Sequence, residues 1–204
     1  MELWKPHRKL LTLALATLTL PAVAVVPGTI APDFKGTDSN GVQHSLSEYR
    51  GKYVVLEWAN KGCPYDQKHY LSGHMEDQQR EWTAKGVVWL SVISSAPGEQ
   101  GYVTPAEENS YIKTMRVAST AVLLDPTGSI GRLYEAKTTP HIFVIDPTGK
   151  LIYQGAIDDK PTTEQEDLKT ARNYLNEALT AAMANKPVPI ATTRPYGCSV
   201  KYAR

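Results

Sequence analysis

Five dense apolar runs punctuate the chain, and polar segments of helical period separate them. "KYVVLEWAN" (52–60) and "GVVWLSVIS" (86–94) are apolar almost throughout, as strands buried on both faces must be. "AVLLD" (121–125), "HIFVID" (141–146) and "KLIYQGA" (150–156) are shorter strands; Pro147-Thr148-Gly149 turns the last two into a hairpin. "GTIAPDFKGTDSNGVQHSL" (28–46) reads as short extended pieces around a turn at Ser39-Asn40-Gly41. Residues 64–84 carry helical spacing at Tyr70, Leu71, Met75 and Trp82, with Pro64 at a first helical position and Gly73 as a weak point. Thr104 is placed to cap a helix that opens with Pro105 and acidic residues. "PTGSIGRLYEA" (126–136) returns through a turn and a short helix, and 163–184 reads as a last helix. The end, "NKPVPIATTRPYGCSVKYAR", has three prolines and no helical period, which predicts an extended tail.

Strand, helix, strand, helix, strand, β-hairpin and final helix is the order of an α/β layer fold. Cys63 follows the first long strand and opens the next helix, so it falls at the carboxyl edge of the sheet, where open α/β sheets carry their sites.

The first residues differ. Lys5, Arg8 and Lys9 precede "LLTLALATLTLPAVAVV", which is free of charge and is interrupted by Pro21. Ala22-Val23-Ala24 has the small-x-small form of a cleavage site. Residues 1–24 are therefore expected to be a secretory signal, with the mature chain beginning near Val25, the alternative being an uncleaved membrane anchor. That expectation carries a periplasmic or secreted location, where a disulfide is possible.

Composition excludes little else. At 204 residues, 42% hydrophobic and 21% charged, the chain fits one ordinary domain with a tail. A net charge of +1 without a basic run offers nothing to nucleic acid.

Cys63 in "ANKGCPYDQKH" is the candidate nucleophile. A helix N-terminus favours its thiolate, and Lys61 and Lys68 are placed to add positive potential. Asn60 or Tyr65 is within sequence reach to donate a hydrogen bond near the sulfur. A Cys/His copper or zinc site at Cys63, His69 and His74 is an alternative. Its spacing fits no zinc pattern, and six helical steps turn about 600°, which points the Cys63 and His69 side chains to different faces. No metal or other cofactor is assigned. His44 and His141 read as packing or surface residues, with His141 near the site.

"VVLEWANKGCP" and "TTPHIFVIDPTGKLIYQG" resemble the thioredoxin-like superfamily. "APDF", "YRGKYVVLEWA" and the Cys63-Pro64 pair resemble its peroxiredoxin-like branch, the alkyl hydroperoxide reductase and thiol-specific antioxidant group, over about residues 27–182. "GAIDD" and "TRPYGCSVKY" resemble a peroxiredoxin-like subgroup of bacterial proteins. The resemblance implies a thioredoxin-like fold, with a central mixed sheet flanked by helices over residues 27–182 and a tail at 183–204. It implies a thiol oxidoreductase attacking a hydroperoxide or a disulfide, with antioxidant or redox-homeostasis roles and a thioredoxin-like donor as reductant. It also implies a cis bond between Thr139 and Pro140, facing Cys63.

This sequence departs from the family at several places. Asp66 stands where a CxxC motif has its second cysteine. Leu56 and Asn60 stand where a typical peroxiredoxin has proline and threonine. "TTPH" holds no arginine, and Arg132 is the nearest in sequence. A thioredoxin-like binding module without chemistry is the alternative these departures support.

Cys198 is the other cysteine of the two in the chain. It is expected to pair with Cys63, because the tail is free to fold back and Gly197 allows a tight approach. A free Cys198, a bridge between subunits and a permanent structural staple remain open.

Overall fold

The computed structural model describes residues 1–2 and 25–203; the charged start and apolar run expected as an export signal lie outside the described residues, apart from Met1 and Glu2. Seven strands form one mixed sheet. In chain order they are β1 (Lys35–Asp38), β2 (Gln43–Ser45), β3 (Val54–Trp58), β4 (Val88–Ile93), β5 (Ala121–Leu124), β7 (His141–Ile145) and β8 (Leu151–Gly155). Across the sheet they run β2-β1-β5-β4-β3-β7-β8. β3, β4 and β5 are parallel neighbours, and β7 and β8 continue antiparallel. A separate two-stranded ladder joins β6 (Thr138–Thr139) to β9 (Cys198–Ser199).

Period-two alternation divides the buried residues of β3 between two cores. Leu56 and Trp58 pack with Leu90, Phe143 and Tyr134 on one face. Val55 points to the other, with Trp89, Val144 and Tyr153. That second face is covered by α1 (Pro64–Leu71), α2 (His74–Ala84) and α5 (Tyr174–Met183), through Tyr70, Met75, Trp82, Leu175 and Leu179. A fully buried side chain of this size contributes about 1.5–3 kcal/mol. The remaining helices, α3 (Pro105–Met115) and α4 (Ser129–Leu133), lie in the connections on either side of β5. The Thr104 cap is present and accepts from the Glu107 N–H.

Two helical expectations change. The 64–84 helix divides, because Gly73 adopts φ +77°, outside the helical region, and caps α2. The 163–184 helix shrinks to Tyr174–Met183, preceded by a 3-10 turn at Gln165–Lys169. Residues 163–173 offer only Leu168 as a large apolar side chain, so no face pays their ordering entropy. Asn173 then caps α5 by accepting from the Asn176 N–H at 2.8 Å.

The tail is extended, as its prolines predict, but it is committed to partners. Gln154 on the outer strand β8 donates its N–H to Ala191 O and accepts from Thr193 N at 3.0 and 3.1 Å. Beyond β9, Val200 N donates to Lys137 O, and Lys201 O accepts from Ala96 N. The tail therefore satisfies backbone groups that a sheet edge and a loop would otherwise expose.

Candidate active site

Cys63 is the N-cap of α1, with Pro64 at the first helical position. β3 ends at Trp58, Ala59 N still bonds Val92 O, and the turn closes with Cys63 N on Asn60 O at 2.9 Å. Strand end, turn and helix start thus fix the thiol, which is fully buried. The Thr139–Pro140 bond is cis and faces it: the Cys63 sulfur lies 3.1 Å from Thr139 O, to which the thiol donates.

The register Thr139↔Cys198 brings the tail cysteine to the same place. Gly197, at φ +123°, lies so close to Thr139 O that an added Cβ would clash with it. Both cysteines are free. Burial alone would raise the Cys63 pKa. The Cys198 thiol, the Asp66 backbone N–H and Thr139 more than offset this, and the net shift is downward. Cys198 moves the other way, up to about 12, through burial and then the hydrogen bond and charge of Cys63. Of the two thiols, Cys63 is therefore the more readily ionised.

A polar clasp holds the tail two residues before Cys198. Tyr196 OH donates to Asp158 Oδ1 at 2.5 Å, and Lys68 Nζ reaches Tyr196 OH at 3.2 Å, Asp158 Oδ2 at 3.4 Å and Lys160 O at 2.7 Å. His69 Nε2 lies 3.4 Å from the same hydroxyl, and its Nδ1 lies 3.0 Å from His74 Nδ1. Burial holds Lys68 below its usual value against the pull of Asp158, and it holds His69 well below.

Two further carboxyls are buried on the elements that flank this turn. Glu57 on β3 is caged by Tyr70 OH, Trp89 Nε1, Ser91 Oγ and Gln79 Nε2 at 2.7, 2.7, 2.9 and 3.2 Å. Asp66, one turn into α1, has no exposed surface and accepts from Asn60 N at 2.5 Å through Oδ2. Its Oδ1 has no hydrogen-bond partner of good geometry, and neither has Thr139 Oγ1, although the two side chains are neighbours. Burial, then the charges of Cys63 and Glu57, hold Asp66 well above the usual carboxylate range.

Cys63, Pro64, Thr139, Pro140 and Cys198 converge, and several other expectations need correction. Asn60 does not serve the sulfur: its Oδ1 accepts from Gly62 N and its Nδ2 donates to Gln100 O, which shapes the turn. Tyr65 packs its ring against Tyr196, with centroids 5.8 Å apart. Lys68 is buried in the clasp instead of lending potential to Cys63, and Lys61 lies 6.0 Å from the Tyr111 ring. Arg132 donates to Thr127 O and Ala203 O and covers the Tyr202 ring, which commits it to the tail. Among the described residues no group of three or more His, Cys, Asp and Glu is placed to hold a metal. His141 accepts from Lys137 N at 3.3 Å behind the cis-proline.

Sequence reasoning passed over Glu57, Asp158 and Tyr196, and it read Asp66 only as a missing cysteine. A usable signal existed for Glu57, which is the one charge inside the apolar run "VVLEWA".

A mixed sheet that presents a buried thiol at a strand-to-helix turn, opposite a cis-proline, defines a protein of thioredoxin-like fold. The model of the AhpC/TSA family matches residues 27–154, and the chain belongs to that family. Among curated proteins, a thiol-disulfide oxidoreductase ResA of Bacillus subtilis is 26% identical over 63% of this chain and 66% of its own. The chain thus spans about two thirds of that relative's length. An uncharacterised conserved protein of Geobacillus kaustophilus has the same fold, with TM-score 0.74 and 22% identity over 91% of this chain and 98% of its own. A Chlorobium tepidum protein assigned as a thiol:disulfide interchange protein DsbE matches with TM-score 0.51 and 26% identity, over 64% of this chain and 85% of its own.

Proposed function

We propose that this protein is a thiol–disulfide oxidoreductase in which Cys63 attacks a disulfide and Cys198 resolves the mixed disulfide. The observation that carries this reading is the Thr139↔Cys198 register, which brings Cys198 to the residue whose carbonyl oxygen lies 3.1 Å from the Cys63 sulfur. Cys198 supplies from the tail what Asp66 cannot supply from the helix.

A disulfide is a better substrate than a hydroperoxide on the residues present. The peroxidase pattern requires an arginine aimed at the sulfur, and the nearest in sequence, Arg132, is engaged by the tail. The two relatives whose names state an activity are both named for disulfide chemistry. A thiol donor of thioredoxin type is the matching reductant. The charged start, apolar run and Ala22-Val23-Ala24 support export to a periplasmic or secreted location. N-terminal sequencing of exported protein should then begin near Val25.

The experiment is a stopped-flow reaction of reduced protein with a small disulfide and, separately, with hydrogen peroxide, followed by a non-reducing peptide map. Rapid reaction with the disulfide and a Cys63–Cys198 peptide from monomer, reducible by a thioredoxin-type donor, are expected. Two free thiols after both oxidants would refute the reading, and a cross-link resistant to the donor would make the bond a structural staple.

A further inference from the structure

We propose, on the disulfide-exchange reading above, that the cavity between the cis-proline loop and the tail seats the amino-acid head of a low-molecular-mass disulfide. Arg194 and Lys137 take its carboxylate, and Glu135 takes its ammonium. The cavity holds about 640 Å³, and its walls include Val25, Glu135, Lys137, Thr138, His141 and Arg194. Small-molecule sites occupy about 300–1,000 Å³. Thr138 joins the cavity to the reactive pair, because the next residue, Thr139, carries the carbonyl oxygen 3.1 Å from the Cys63 sulfur and pairs with Cys198. Part of the wall lies outside residues 27–154, the stretch that the AhpC/TSA model matches: Val25 precedes it and residues 192–195 follow it. The tail of this chain, more than the shared fold, makes the cavity.

The charges around it are uncommitted. Glu135, Lys137 and Arg194 are all exposed, and among the described residues none of their side chains takes part in an ion pair. Two cations and one anion about one cavity complement a group that carries both signs better than a plain anion or a plain cation. The guanidinium of Arg194 presents a planar fork that matches a carboxylate with two hydrogen bonds.

Two further features mark the cavity wall. Glu135 follows the C-cap of α4 with φ +52°, in the left-handed region where helix ends favour glycine. A glutamate is kept there although the backbone disfavours it, and its side chain lines the cavity. His141, 5% exposed, is a buried polar side chain in the same wall. Its Nδ1 accepts from Lys137 N at 3.3 Å, which leaves the ring proton on Nε2. Burial, and then Lys137, lower its pKa to about 3, so near neutral pH the ring offers a donor without adding charge.

In a cystine-type disulfide the sulfur is one methylene from the head, so a head bound beside Thr138 brings that sulfur toward Thr139. The exchange then balances. The Cys63 thiolate attacks one sulfur of R–S–S–R, a Cys63–S–S–R bond forms, and RS⁻ leaves. Cys198 gives its proton to solvent, bonds to the Cys63 sulfur and displaces the second RS⁻. Two electrons pass from the cysteine pair to the substrate disulfide.

The test uses the reduced full chain as wild type, Arg194→Gln and Glu135→Gln. Binding is read first, by NMR titration with S-methyl-L-cysteine, which carries the head and cannot exchange. Wild type should bind it about tenfold more tightly than 3-(methylthio)propionate, which lacks the ammonium, or 2-(methylthio)ethylamine, which lacks the carboxylate. Each variant should lose that preference. Oxidation is read second, each rate taken relative to that of the same disulfide with dithiothreitol. L-Cystine should hold an advantage of about tenfold over cystamine, 3,3′-dithiodipropionate and hydroxyethyl disulfide, and both variants should abolish it. Binding of S-methyl-L-cysteine no tighter than its one-charge analogues, variants that bind as wild type does, or no advantage for cystine would each overturn the proposal. Failure of every disulfide to oxidise the protein would sink the oxidoreductase reading instead, and the titration would still report whether the cavity takes an amino-acid head.

Discussion

Thr139 holds Cys63 and Cys198 at once: its carbonyl oxygen lies 3.1 Å from the Cys63 sulfur, and its backbone pairs antiparallel with Cys198. The approach of the two thiols is therefore set by main-chain geometry, and the side chains around it decide which sulfur carries the charge.

The first consequence concerns Gly197. An added Cβ would collide with the Thr139 carbonyl, and the left-handed φ of +123° disfavours any side chain. Gly197→Ala should unseat the tail and lower the effective concentration of Cys198 at Cys63 at least tenfold, which corresponds to about 1.4 kcal/mol. Equilibration of the disulfide against glutathione measures this, and an unchanged equilibrium would count against the register.

Tyr196 is expected to anchor the tail through its hydroxyl. Tyr196→Phe keeps the ring on Tyr65 but removes the partner that Asp158, Lys68 and His69 share. A cost of about 1–3 kcal/mol is expected from the polar atoms left behind. Limited proteolysis should then cut the tail near Arg194 faster than in wild type, while the sheet core keeps its protection.

Glu57→Gln should destabilise the fold through its cage. The amide places a donor against Trp89 Nε1, which can only donate, or makes the Ser91 or Tyr70 hydroxyl exchange its donor role for an acceptor role. About 1–3 kcal/mol of lost stability is the scale. Urea unfolding checks it, and a neutral result would mean the cage rotates to accommodate the amide.

His141 gives a pH signature. Burial, and then Lys137, lower its pKa from 6.5 to about 3, so the folded protein holds it neutral. The unfolded chain binds the proton first as pH falls. The contribution of His141 is thus complete above its unfolded value and is lost on acidification toward about 3. Wild type should lose up to about 1.4 kcal/mol per pH unit relative to His141→Phe across that window. Parallel stability curves for the two proteins would contradict the buried neutral imidazole.

The local pattern determined much of this protein. Apolar runs placed the strands, because a strand buried on both faces tolerates few charges, and Pro64 and Thr104 marked helix starts because helix ends leave donors to be capped or removed. The same pattern put Cys63 at the end of β3 and made Cys198 its candidate partner. The tertiary structure alone decided the register Thr139↔Cys198, the burial of Lys68 and the separate fates of Glu57 and Asp66. Each of those depends on what lies across space: a lysine is solvated or buried according to whether Asp158 and Tyr196 meet it, residues that lie far along the chain. A carboxyl is caged or free according to which donors four different elements bring. Sequence spacing encodes neighbours along one helix or strand, and the chemistry of this site is made by neighbours between them.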